Sequence, residues 1–240
     1  KSYQSANASI GLKTSLLPNF IARINFASGF RAPNLAELTS NGVHEGTNRY
    51  EIGSSDLQTE QNIQTDFNLE FKKDHFEIYA NLFYNKIYHF IYLSPTANQI
   101  DDFDVYTYDQ ENARLFGGEF GLHFHPHPLD WLHFDTNFQT VTGQKESGSY
   151  LPLIPANTWN NTLKTEINNL KWVENGYASL NVSTTFNQNN ISLFETKTQD
   201  YTLLNLGLGG KIMLSDLKFD ININANNIFN SIGITEVEEG

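Results

Sequence analysis

Polar and apolar residues alternate without a break through residues 62–73. Ile63, Thr65, Phe67, Leu69 and Phe71 fall on one face, and Asn62, Gln64, Asp66, Asn68, Glu70 and Lys72 on the other. A two-residue period is that of a pleated strand whose two faces meet different surroundings. Lys73-Asp74 then interrupts the pattern, and it resumes with Phe76, Ile78, Ala80, Leu82 and Tyr84 opposite Glu77, Tyr79, Asn81, Phe83 and Asn85. The two runs predict a long antiparallel hairpin. Leu132, Phe134 and Phe138 against His133, Asp135, Asn137 and Gln139 repeat the pattern, as do Phe219, Ile221 and Ile223 against Asp220, Asn222 and Asn224. Weaker versions at residues 8–16, 20–30, 116–124, 158–166, 177–186 and 202–213 bring the expectation to roughly ten strands in up-and-down order, with no domain boundary among them.

The connections alternate in length. Residues 17–19, 73–74, 125–130, 168–175 and 215–216 are short, whereas 31–61, 94–110, 143–156 and 188–200 are long. Transmembrane barrels show this asymmetry, with short periplasmic turns and longer outer loops, and their strands run apolar towards lipid and polar towards the lumen. Soluble β-sandwiches also alternate, so periodicity by itself leaves both architectures open. The expected fold class is all-β, an antiparallel up-and-down transmembrane β-barrel, present in part.

Composition narrows the function more than the fold. No apolar run approaches the ~18 residues of a membrane-spanning helix, and mean hydropathy is −0.42. With 18 Phe and 11 Tyr the chain has the residue mix of pleated strands. There is no cysteine, which removes disulfide scaffolds, thiolate metal sites and thiol nucleophiles. Fifteen Lys and Arg face 27 acids, a net charge of −12, so nucleic acid is excluded as a partner and cations are favoured. No Ser-His-Asp arrangement, glycine-rich phosphate loop or helix-borne metal motif is present, and the chain is not expected to be an enzyme. Residues 1–10 lack the basic start and apolar core of an export signal, which reads as a removed segment or a fragment.

Two linked stretches carry a resemblance. Residues 29–38, GFRAPNLAEL, look like the FRAPN(L/A)xEL signature of TonB-dependent outer-membrane receptors, and residues 50–60, YEIGSSDLQTE, resemble that family's YEIGNPDLKPE element at matching spacing. Phe83 to Ile87 resembles its FYNxI strand, Gly117-Gly118-Glu119 its GxE strand, and Asn226 to Asn230 its xNLFN segment. Ser54-Ser55 and Gln58-Thr59 depart from the usual Asn-Pro and Lys-Pro. The resemblance implies a barrel of about 22 strands around an N-terminal plug, energy coupling through the periplasmic protein TonB, and an outer-membrane location. On that footing residues 1–240 are the C-terminal part of the barrel, without plug, TonB box or the closing aromatic-terminated strand. Residues 42–50 further resemble the GVHxxTNxYE stretch of the zinc-uptake branch, which implies uptake of a metal ion or complex: zinc, haem or a siderophore. A passive porin or a soluble sandwich that binds a ligand are the alternatives.

The candidate site residues follow from that picture. His44 and Glu45 combine imidazole and carboxylate in a long loop, a ligand pair that Zn²⁺ accepts. Asp101, Asp102 and Asp104 form an acidic loop, and His89 lies in phase with the lumen face near the outer end of its strand. Arg31 is expected either to meet an anionic chelate or to pair with a lumen carboxylate and organise the loop base. His123, His125 and His127 share a face but approach a short turn carrying Pro126 and Pro128, so they are expected to be structural residues of the periplasmic rim. Trp131, Trp159 and Trp172, with Tyr84, Tyr88 and Tyr92, are expected in interfacial aromatic girdles.

Overall fold

A computed structural model of the chain describes residues 6–167, 170–193, 195–214 and 217–232. In chain order the elements are β1 (Ala8–Leu17), β2 (Phe20–Arg31), a short helix α1 (Leu35–Thr39), β3 (Asn41–His44), β4 (Arg49–Ile52), β5 (Glu60–Lys73), β6 (Phe76–Ile100), β7 (Phe103–Phe124), β8 (Leu132–Lys145), β9 (Thr158–Ile167), β10 (Val173–Thr185), β11 (Tyr201–Leu214) and β12 (Leu217–Ala225). Ten of the strands pair in the order β1-β2-β5-β6-β7-β8-β9-β10-β11-β12, every neighbour antiparallel. They are the ten that alternation predicts. β3 and β4 stand off this path as a small hairpin inside the long β2–β5 connection, and β4 pairs in parallel with β7.

Register puts the alternating residues where their chemistry requires. Phe67 pairs with Ile24 and Leu82, while Asn68 pairs with Arg23 and Asn81. One face therefore carries apolar rows and the other polar rows. Ile63, Phe67, Leu82, Phe116, Phe120 and Leu163 remain exposed on the apolar face, and no second layer covers them among the described residues. A soluble sandwich must bury this face; a bilayer supplies the missing apolar phase. On the other face the polar side chains bind one another across strands. Arg23 donates to Glu70 at 2.9 Å, Asn68 to Asn81 at 2.9 Å and Asn25 to Asp66 at 3.3 Å. Tyr79 lies flat over its cross-strand partner Gly121, where an added Cβ would come within 2.2 Å of the ring, and so reaches Glu119 at 3.1 Å.

Turn chemistry is local and legible. Asn19 and Asp74 adopt positive φ, of 65° and 41°, a backbone region that Asn and Asp tolerate. Parts of two further turns, residues 168–169 and 215–216, and the chain end at 233–240 lie outside the described residues. Residues 94–110, expected to be loop, are instead strand. β6 runs for 25 residues and β7 for 22, meeting at a tight turn where Asp101 and Asp102 have φ of 51° and 65°. Since ~9–11 tilted residues cross a bilayer, this hairpin projects far beyond the apolar band. Outside lipid neither face must be apolar, so the extension lacks the alternation that marks the wall. The buried side chains of Leu57, Ile91, Val105, Tyr106 and Leu151 lie in this projecting region or under the long loops.

Candidate functional site

The long β2–β5 connection is fastened at its base by one guanidinium. Arg31 ends β2 directly across from Glu60, the first residue of β5. Its Nε donates to Glu60 Oε2 at 2.6 Å and its Nη2 to Glu60 Oε1 at 2.8 Å, the forked geometry that suits a carboxylate. Nη1 donates to both oxygens of Glu37, at 2.7 and 2.9 Å. Glu37 is in turn fixed by α1: Asn34 caps the helix by accepting from the Glu37 amide at 2.8 Å, and Glu37 Oε2 accepts from the Asn34 amide at 2.7 Å. This reciprocal capping box turns the Asn and Glu of the GFRAPNLAEL stretch into a clamp for its Arg. Glu60 Oε1 also accepts from the Ile91 amide at 2.6 Å, tying the clamp to β6. The guanidinium is held above its ordinary pKa, chiefly by its hydrogen bond to Glu60.

The second stretch closes the same structure from its other end. The Gly53 amide donates to Ser40 O at 2.7 Å, and a Cβ on Gly53 would lie 2.6 Å from the Thr39 nitrogen, so the glycine permits the chain to pass against the helix end. Glu51 is buried, receives Arg49 Nε at 3.0 Å and accepts from Tyr108 OH at 2.9 Å. Burial alone would raise its pKa, yet the hydrogen bonds from Tyr108 and Arg49 outweigh that and hold it below the ordinary carboxylate range. Burial, with the same hydrogen bond, pushes Tyr108 up to about 12. Arg49 also lies over the Tyr106 ring, 4.9 Å from its centre.

Arg31 therefore has Nε, Nη1 and Nη2 all hydrogen-bonded to carboxylates. His44 and Glu45 sit at the exposed tip of the β3–β4 hairpin, with His44 Nδ1 3.2 Å from Thr47 Oγ1. Tyr50 pairs in parallel with Val105, so this tip points the same way as the tip of the β6–β7 hairpin that carries Asp101 and Asp102. Asp104 accepts from Gln99 Nε2 at 2.9 Å. His89 stands apart from these residues. It occupies a β-bulge between Ile87 and Phe90, has φ of 54°, donates its amide to Asn112 Oδ1 at 3.1 Å and exposes its side chain. The bulge shifts phase, so beyond it Phe90 and Tyr92 stack on each other, and Tyr92 meets Lys145 rather than joining an aromatic girdle. Trp131, Trp159, Trp172 and Tyr84 are exposed large rings, as a girdle requires.

At the opposite, short-turn end the structure assembles a group that linear spacing does not reveal. Because Phe76 pairs with Phe124, His75 stands across from His125, whose amide donates to His75 O at 3.0 Å. His75 is ringed by His125 and His127, with centroids 4.7 and 5.5 Å away, and His123 and His133 extend the group from β7 and β8. Five of the chain's seven histidines thus meet at one rim. His75 and His133 escape a sequence reading because neither belongs to the alternate run 123–127: His75 sits in the turn before β6 and His133 across the ladder on β8. The signal that finds them is register, extended one residue past the β6 strand.

Residues 1–228 match the family described as TonB dependent receptor-like, beta-barrel, and the chain belongs to that family. Solved structures of the same fold include the copper transporter OprC (16% identity, TM-score 0.79, covering 95% of this chain and 34% of that one). A mutant of the ferric enterobactin receptor PfeA from Pseudomonas aeruginosa aligns at 18% identity and a TM-score of 0.66, over 93% of this chain and 34% of the receptor. The siderophore receptor PirA from Acinetobacter baumannii aligns at 16% identity and 0.67, over 93% and 36%. The chain spans about a third of the length of these structures. Its strand wall is accordingly part of a β-barrel of this receptor-like family; among the described residues no helix is long and apolar enough to cross a membrane.

Proposed function

We propose that this chain is the C-terminal part of the barrel of a receptor that takes up a metal ion or metal complex, powered through TonB acting on a plug. Further strands pair on the open edges of β1 and β12, and the plug fills the lumen against the polar face. The long-loop end faces outward. The observation that carries this reading is the Arg31 clamp, which holds a long loop rigidly at its base while leaving His44 and Glu45 at an exposed tip. Asp101, Asp102 and Asp104, on the neighbouring hairpin, add negative charge that draws cations. The names of the similar structures, a copper transporter and siderophore receptors, support metal or metal-chelate cargo.

Zinc is the cargo that the ligand chemistry favours, since Zn²⁺ accepts imidazole and carboxylate together. The test uses the full receptor in intact cells. A cysteine replacing Asn48 is expected to react with an impermeant thiol reagent, and one replacing Asp74 is not. Zinc accumulation is expected to fall in the His44→Ala/Glu45→Ala receptor while barrel folding is kept. Unchanged accumulation with normal surface labelling would overturn zinc capture at this loop; labelling at Asp74 alone would overturn the orientation.

A further inference from the structure

We infer that the short-turn rim holds a second, separate metal site, formed by His75, His127 and Asp130, for a divalent transition ion of borderline softness such as Zn²⁺ or Cu²⁺. The inference stands on the rim's geometry and does not depend on what the loops capture. His75, His127 and Asp130 each present one ligand atom, and these atoms lie within 4.8 Å of one another. Asp130 Oδ2 is 3.2 Å from His127 Nδ1, Asp130 Oδ1 is 3.4 Å from His75 Nδ1, and His75 Nδ1 is 3.2 Å from His125 Nδ1. Tetrahedral zinc with bonds of ~2.0–2.1 Å separates adjacent ligand atoms by ~3.3–3.4 Å. The separations of Asp130 from His127 and from His75, each through a different carboxylate oxygen, have that size.

Hydrogen bonding alone does not account for the arrangement. A neutral imidazole has one N–H, and if His75 carries it on Nδ1 a single proton faces both the Asp130 carboxylate and the His125 nitrogen. If His75 instead accepts from His125, its own lone pair points at a carboxylate. A cation held among His75, His127 and Asp130 would give their ring nitrogens and carboxylate a shared positive partner. The surroundings suit such a site. His123 is held by Asp135 at 2.6 Å, and His133 Nε2, buried and without a hydrogen-bond partner, lies 3.4 Å from Glu166. The nitrogen-and-oxygen ligand set selects imidazole-loving divalent ions over Mg²⁺ and Ca²⁺, which prefer all-oxygen shells.

The experiment is zinc titration of the purified full receptor in detergent, by calorimetry and by elemental analysis after dialysis. Wild type is expected to bind a zinc equivalent that the His75→Ala/His127→Ala receptor loses and the His44→Ala/Glu45→Ala receptor keeps. If the double variant fails the heat-modifiable gel shift that marks a folded barrel, His127→Ala alone serves, since that side chain is exposed in a turn; its affinity is expected to fall at least about tenfold. Unchanged stoichiometry and affinity in the folded rim variants would overturn the site. Loss of all zinc in the His44→Ala/Glu45→Ala receptor with an intact rim would overturn it equally, whereas zinc kept there but lost in the rim variant leaves only the loop's claim on zinc refuted.

Discussion

The two ends of the barrel wall handle charge in opposite ways. At the long-loop end Glu37, Glu51 and Glu60 are buried, and Arg31 and Arg49 meet them with forked or charge-assisted hydrogen bonds, backed by Tyr108 and the Ile91 amide. At the short-turn end five imidazoles surround carboxylates that are half exposed, and nitrogen faces nitrogen across 3.2 Å. A cluster whose donors and acceptors match is a structural joint. One in which imidazole nitrogen faces imidazole nitrogen lacks that matching. The contrast teaches that charge density by itself does not distinguish scaffold from site; the pairing does.

Four experiments break or sharpen this contrast, and the largest effect is expected at Arg31. Arg31→Ala leaves Glu37 and Glu60 buried without their cation, and should destabilise the loop base by about 3 kcal/mol. That is the low end for a broken buried pair, because the Arg31 side chain is 43% exposed and solvent screens it. Limited proteolysis between residues 31 and 60 would read it, and resistance equal to wild type would demote the clamp. Arg31→Lys should rescue only part, since an ammonium lacks the fork. Next, Gly53→Ala sets a methyl against backbone that cannot yield easily and should cost about 1–3 kcal/mol by the same assay.

The third experiment concerns pH. Glu51, held below its ordinary value of 4.5, stabilises the β4–β7 contact at all pH above that value, and the contribution is lost as pH falls through the lowered folded value. Tyr108 has the opposite sign: its raised pKa means a contribution fully present below its ordinary value of 10 and lost as pH rises through about 12. Amide protection at residues 50–52, the exchange rate relative to that of the unstructured peptide at the same pH, should therefore be greatest between these limits and fall beyond both. Protection that ignores pH would show that β4 is held by its backbone ladder alone. The smallest effect belongs to the rim. His127→Ala without metal should change barrel stability by no more than about 0.5 kcal/mol, since its side chain is exposed; a larger loss in a heat-modifiability series would make the rim structural like the clamp.

Most of the wall was legible because lipid and lumen impose different demands on successive residues, as at Phe67 and Asn68. The long β6–β7 extension was not, because a strand standing in water has no face that must be apolar; Pro95, Thr96 and Asn98 carry no alternation. The bulge at His89 was equally hidden, being a backbone event that reverses phase without altering composition. Arg31 and Glu60 were visible as parts of two linked stretches, yet their contact depended on cross-strand register. The histidine rim was partly legible, as three alternate residues by a short turn; His75, which joins them, comes from the turn before β6 and is reached only through cross-strand register.

The parallel pairing of β4 with β7 sets an order of events as the chain assembles. Arg31 and Glu60 can clasp as soon as β2 and β5 zip together, since they are direct neighbours in the ladder. Tyr50 to Ile52 must wait for Val105 to Thr107, which arrive only after the whole of β5 and β6, and contacts so distant along the chain form slowly. For that interval the loop is a tethered flap, fixed at its hinge and free at its tip. Its tip becomes protease-resistant, in time-resolved digestion of the refolding receptor, only once the β6–β7 hairpin stands. The hairpin is then both wall and latch, and the outer mouth takes its shape last.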